Sequence, residues 1–150
     1  MENVIVASSN VYAVYALTAW YNDSIVYFAI LASMMASIVY HLVEHHKHDM
    51  PGTAGSGSLS EHKLCLNLDR FCAILLGIVL LSRAIDNPSM IYNPASILCA
   101  VCAAGFGIVS EHGESFFKHI SSKQRRWIYI VTHSVWHVLI FNVVYLCAQY

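Results

Sequence analysis

Charge is what this chain has least of. Lysine, arginine, aspartate and glutamate make up 11% of its 150 residues, against 57% hydrophobic residues and a mean hydropathy of +0.55. A soluble domain of this length could not hide so much apolar surface behind so few charges, which excludes a water-soluble globule. An excess of one sign is also missing. The net charge is -1 and there is no basic tail or stripe, so nucleic-acid binding has no electrostatic footprint. A disulfide framework is absent too: Cys65, Cys72, Cys99, Cys102 and Cys147 lie in or beside apolar stretches and read as small packing residues. Cys99-x-x-Cys102 falls in a helix-like run without other thiol partners, and no redox role is assigned to it. The opening Met1-Glu2-Asn3 has neither a basic n-region nor a small-residue cleavage site after a short apolar core. The first apolar run is therefore expected to stay as a membrane span.

Long apolar runs are what the sequence has instead. A spanning helix needs roughly 17–25 mostly apolar residues. Five stretches qualify: about Val4 to Trp20, Ser24 to Glu44, Leu64 to Ser82, Pro94 to Val109 and Trp127 to Cys147. The expected fold is a single all-α domain over residues 1–150, a polytopic membrane helix bundle of about five transmembrane helices. The first span is the weakest, being interrupted by Ser8, Ser9, Asn10 and Thr18. Asn22-Asp23-Ser24 reads as a turn and helix N-cap, Pro94 suits a first helical position and Gly113 a stop. Residues 45–63, with His45, His46, His48 and His62 among glycines and a proline, read as a flexible loop, solvated rather than metal-binding. Glu114 to Ser122 reads as a short interfacial helix. Ala100/Ala104 and Ala103/Gly107 on the fourth span are small-residue faces for helix packing. Lys47, Lys63, Lys118, Lys123, Arg125 and Arg126 place the N-terminus and the 45–63 and 111–126 loops on the cytoplasmic side, with only Arg83 opposing.

Within these apolar runs sit polar residues that a bilayer makes expensive. Ser37 and His41 are spaced i, i+4, as are His133 and His137, so each pair shares one helix face. Ser33, Ser37, His41 and His45 form a polar stripe that belongs against a bundle interior or cavity. Starting the third span at Leu64 encloses Asp69, whereas starting after Arg70 would leave a run too short to cross. Counting at 1.5 Å per residue puts His41 roughly 5 Å, Asp69 roughly 7 Å, His133 roughly 9 Å and His137 roughly 15 Å below one membrane face. Ser37 is one turn deeper than His41. All five fall in the same half of the membrane.

That set has the chemistry of a zinc hydrolase. A catalytic zinc takes three protein ligands and keeps one position for water; His41, His133 and His137 supply three imidazoles. The metal lowers the pKa of its water to about 7. Asp69 is placed to accept the proton or orient the water, and Ser37 to hold the water or a developing oxyanion.

Ser37-Ile38-Val39-Tyr40-His41, Leu68-Asp69-Arg70-Phe71-Cys72-Ala73 and His133-Ser134-Val135-Trp136-His137 resemble the three signature segments of the CREST superfamily. That group comprises alkaline ceramidases, progestin and adiponectin receptors, GPI-remodelling lipid hydrolases and myomaker-like proteins. The wording of the second and third segments leans toward the last two branches. The resemblance covers about Ser33 to Val143. It implies zinc ligation by His41, His133 and His137, with Ser37 and Asp69 as catalytic residues holding the zinc-bound water. The implied activity is hydrolysis of an amide or ester bond in a membrane lipid, whether ceramide-like, phospholipid or GPI lipid. The family has seven spans where this chain has five, which implies a thinner cavity wall and is compatible with a homo-oligomer that completes the bundle. A non-enzymatic receptor, adaptor or fusion-type protein with a structural zinc is the competing expectation. A metal transporter using the histidine-rich loop ranks below both.

Overall fold

Asp23 starts the first long helix: its carboxylate accepts from the amides of Ile25 and Val26 at 3.1 and 3.2 Å. This is the capping geometry expected of an aspartate before an apolar run. The computed structural model describes residues 2–44 and 59–150. Among them every element is helical: α1 (Glu2–Ser9), a 3-10 turn (Asn10–Tyr12), α2 (Ala13–Ala19), α3 (Ser24–Val43), α4 (Leu59–Asp86), α5 (Pro94–Phe116) and α6 (Ser122–Cys147). A second 3-10 turn, Pro88–Met90, links α4 to α5.

Four helices are long and apolar enough to cross a membrane: Ser24–Val43, Glu61–Asp86, Pro94–Gly113 and Ser122–Cys147. The fifth apolar stretch, Asn3–Ala19, is shorter. Their outward faces are lipid-like. On α4, Phe71, Ile74, Ile78, Leu81 and Ile85 recur at three- and four-residue steps and are all exposed. Such a stripe is costly in water and neutral in hydrocarbon. Residues free to point outward here are the reason the sequence carries so little charge.

Several boundaries differ from the sequence-based ones. α4 begins at Leu59, not Leu64, so His62 and Lys63 lie on the helix rather than in the loop. Apolar counting stopped where charge began, but no glycine or proline stops the helix there, and Glu61 suits its first turn. His45, His46, Lys47 and His48 lie outside the described residues. α5 runs three residues past Gly113, whose carbonyl accepts from the Phe117 amide at 2.8 Å. Residues 114–116 thus extend α5, and no separate interfacial helix forms over Glu114 to Ser122. α6 begins at Ser122, because Ser121 and Gln124 form a reciprocal capping box. The Pro94 and Asp23 helix starts stand as expected, and all five cysteines are free.

The N-terminal segment is wedged between α3 and α6; α4 packs mainly on α3 and α5 mainly on α6. Trp20 donates to the Val144 carbonyl at 2.8 Å and fastens the end of α2 to α6. Arg83 clasps Asp23 through two bonds of 2.6 and 3.2 Å, fixing α4 to the start of α3. On the α5–α6 seam, Ala103 is buried and Gly107 lies so close to Trp136 that an added Cβ would meet its ring nitrogen at 3.1 Å. The Ala103/Gly107 face is therefore the packed one, while Ala100 and Ala104 are exposed. Two apolar clusters result, one around Ile30, Leu76 and Phe141, the other of Val6, Tyr129 and Ile130. The polar residues of α3 and α6 lie between them.

Candidate metal centre

The helical repeat brings His41 from α3 against His133 and His137 from α6. Ring centroids are 4.7 Å apart for His41–His133, 5.0 Å for His41–His137 and 4.7 Å for His133–His137. All three residues are buried, and one ligand nitrogen from each lies within 4.8 Å of the others. Three of the five sequence-predicted residues thus converge on one point.

The outer contacts decide which nitrogens face inward. His41 Nδ1 is 2.9 Å from the Glu44 carboxylate, an acceptor, so this nitrogen carries the proton. His137 Nδ1 lies 2.8 Å from Ser9 Oγ. The single Ser9 hydroxyl proton is committed to the Val6 carbonyl at 2.6 Å, so Ser9 accepts and His137 Nδ1 donates. His133 repeats the pattern: its Nδ1 is 3.2 Å from Ser110 Oγ, whose proton goes to the Gly107 carbonyl at 3.0 Å. All three imidazoles are therefore assigned as Nδ1–H tautomers, each presenting an Nε2 lone pair to the shared centre. Among the described residues His41 Nε2 is buried with no hydrogen-bond partner, which leaves its lone pair available to a cation. Three neutral imidazoles oriented by acceptors on their far nitrogens are the donor set of a metal site. The three histidines could hold a metal ion.

Ser37 and Asp69 stand beside this centre. Ser37 Oγ is 3.3 Å from His137 Nε2. Asp69, half-buried on α4, faces both the Ser37 hydroxyl and His41. Ser33 donates to the Cys72 carbonyl at 2.9 Å and ties the polar stripe of α3 to α4. Asn10, Ser33, Ser37, Asp69 and His137 form the polar end of a cavity of about 280 Å³, whose remaining wall is apolar, from Ala73, Leu76 and Leu80 of α4 to Ile140 and Phe141 of α6. His41 and His133 sit behind His137 and do not line it.

Five residues around the centre were not singled out from sequence: Ser9, Asn10, Glu44, Ser110 and Tyr129. Glu44 is the most informative. It is 2% exposed, bonds His41, accepts from the Tyr129 hydroxyl at 2.9 Å and from Tyr40 at 3.2 Å. Its carbonyl accepts from Asn3 at 3.0 Å, so α1 is anchored at the same point. Two signals were available: Glu44 is three residues from His41, and Tyr129 precedes His133 by four. Ser9 and Asn10 had been noted only as blemishes in a weak span. They sit where that span breaks, and both reach His137.

No protein-family model matches the chain, and no solved structure matches it. Over 153 aligned residues it is 29% identical to a protein of Acanthamoeba polyphaga mimivirus named only as uncharacterized protein L282, a match covering 97% of this chain and 95% of that one.

Proposed function

We propose that this chain is a zinc-dependent hydrolase of amide or ester bonds in membrane lipids, a five-helix relative of the CREST superfamily. The observation that carries the reading is the convergence of one ligand nitrogen from each of three buried histidines beside a serine and a carboxylate, at the polar end of an apolar cavity. His41, His133 and His137 would hold the ion. When bound, a zinc in such a site lowers the pKa of a coordinated water to about 7. Asp69 takes the proton released as the water oxygen adds to the substrate carbonyl carbon and the C=O pair moves onto oxygen. Collapse of that adduct breaks the C–N or C–O bond, and the same proton passes to the departing amine or alcohol. Ser37 orients the attacking water. The apolar wall takes the acyl chain and excludes bulk water. Four membrane-length helices make this an integral membrane protein. The distribution of basic residues supports a cytoplasmic N-terminus.

A second reading is a receptor, adaptor or fusion-type protein with a structural zinc. It draws on the fact that only His137 of the three histidines lines the cavity. Metal analysis of purified wild type and His137→Ala tests both readings, combined with turnover of a fluorescent N-acyl sphingoid base and a fluorescent phosphatidylcholine. The hydrolase reading expects about one zinc per wild-type chain, cleavage of one lipid, and loss of both in the variant. Zinc without turnover leaves the structural reading; wild type without zinc ends both.

A further inference from the structure

Asn10 lines the cavity with a buried side-chain atom whose hydrogen bonding does not close. It is fully buried in the 3-10 turn between α1 and α2, and it lines the cavity beside Ser37, Asp69 and His137. Its Nδ2 is placed 3.2 Å from His137 Nδ1 and 3.4 Å from the Ala7 carbonyl, while its Oδ1 has no partner. That orientation sets an amide donor against an imidazole nitrogen that itself donates to Ser9. A carboxamide's oxygen and nitrogen ends are interchangeable in outline, and the network decides between them. Turning the group over lets its oxygen share the His137 Nδ1 proton with Ser9. The NH2 then takes the unpartnered end, at the loss of only the long bond to Ala7. That end of the group has no hydrogen-bond partner.

A buried amide with an unpartnered end, on the wall of a cavity that already holds the candidate chemistry, calls for an acceptor once that end is the NH2. We propose that the Asn10 carboxamide donates to the carbonyl oxygen of a bound acyl lipid and stabilises the negative charge that gathers there. This rests on the hydrolase reading and adds to it an oxyanion donor from the N-terminal segment. The segment breaks its helix at Asn10, which lets one residue steady His137 and face the substrate together. A hydrogen bond formed with developing charge contributes more to the transition state than to substrate binding.

The test uses the full chain in detergent, loaded with Co²⁺ and titrated with dodecylphosphonate, a tetrahedral anion with an acyl-like tail; the cobalt absorption bands report both metal and anion. Wild type is expected to load one cobalt and bind the phosphonate. Asn10→Ala should keep its cobalt and bind the phosphonate about 10- to 100-fold more weakly, the loss of one bond to a charged acceptor. Asn10→Asp keeps the shape and the acceptor for His137 Nδ1–H. It should hold cobalt at least as tightly as wild type and bind the phosphonate no better than Asn10→Ala. Turnover of the two fluorescent lipids should fall about 100-fold in both variants. Asn10→Ala affinity within threefold of wild type at full cobalt occupancy overturns the inference while leaving the hydrolase reading intact. So does Asn10→Asp binding the anion as wild type does, or Asn10→Ala losing its cobalt while Asn10→Asp keeps it, because Asn10 would then act only through His137. Wild type that loads no cobalt removes the inference together with the hydrolase reading.

Discussion

Replacing Glu44 by glutamine changes the metal centre without touching a ligand. The buried Glu44 carboxylate accepts from His41 Nδ1 at 2.9 Å, from Tyr40 at 3.2 Å and, on both oxygens, from Tyr129 at 3.0 and 2.9 Å. A glutamine has one acceptor oxygen and one donor nitrogen. Whichever way it turns, at least one of the three donors faces an NH2. Tyr129 reaches both oxygens and keeps an acceptor either way; if the donor is Tyr40, the cost is a buried hydroxyl without its acceptor, about 1–3 kcal/mol of stability. If it is His41 Nδ1–H, the ring loses the acceptor that fixes its tautomer and raises the basicity of Nε2. Loss of such an outer carboxylate lowers metal affinity about 10- to 100-fold, or about 1.4–2.8 kcal/mol. The assay is competition for Zn²⁺ against a chelator of known affinity, with thermal melting of the metal-free protein alongside. Tyr129→Phe is the companion variant: it removes one donor and leaves His41 its acceptor, so melting should drop while zinc affinity changes by less than about threefold. Zinc affinity of Glu44→Gln within twofold of wild type, with no drop in melting temperature, would refute the argument that the Glu44 carboxylate holds His41 and the two tyrosines together.

Two further outcomes test the frame that holds the site. The Arg83 hydrogen bond holds the Asp23 carboxyl below its ordinary value, against a smaller opposing push from burial. A lowered folded-state pKa gives stability that is present above the unfolded value of about 3.9 and lost as pH falls through the folded one. Thermal melts in detergent should show wild type losing its advantage over Asp23→Asn below about pH 4. The advantage at pH 7 should be about 1 kcal/mol or less, because the pair is partly exposed. An equal difference at pH 3 and pH 7 would contradict this assignment. On the other flank, Gly107→Val drives branched carbons into Trp136, where a single Cβ already comes within 3.1 Å. It should destabilise the α5–α6 seam by about 1–3 kcal/mol, read as a lower melting temperature; Gly105→Val, with nothing within 4 Å of its Cβ position, should be closer to neutral.

The fold and the ligand trio were legible because both follow from periodicity. Apolar length marks the spans, and i, i+4 spacing puts His133 and His137 on one face whatever surrounds them. Helix ends were harder to place. Charge at Glu61 to Lys63 ends an apolar count without ending a helix, and the Ser121–Gln124 capping box extends α6 well upstream of Trp127. The outer layer of the site was least legible, because it depends on which helices become neighbours. Ser110 and Ser9 are ordinary serines until α5 and α1 are packed on α6. Glu44 looked like the charged end of a span, although its burial is what distinguishes it.

Four membrane-length helices and the N-terminal segment are enough to bring this centre together, because its layers come from different elements. The ligands need only α3 and α6. Their orientation needs Glu44 at the end of α3, Ser9 and Asn10 from the N-terminal segment and Ser110 from α5. α4 contributes Asp69 and part of the cavity wall. Because α4 packs on α3 and α5 on α6, a gap stays open between them along α6. A second recess of about 370 Å³, apolar but for Ser96, occupies that gap and shares Leu80 and Val143 with the cavity at the site. Outer helices closing that side would add enclosure but no ligand and no orienting acceptor. The recess therefore leaves the three histidines and the acceptors on their far nitrogens untouched, since all of them come from α1, α3 and its end at Glu44, α5 and α6.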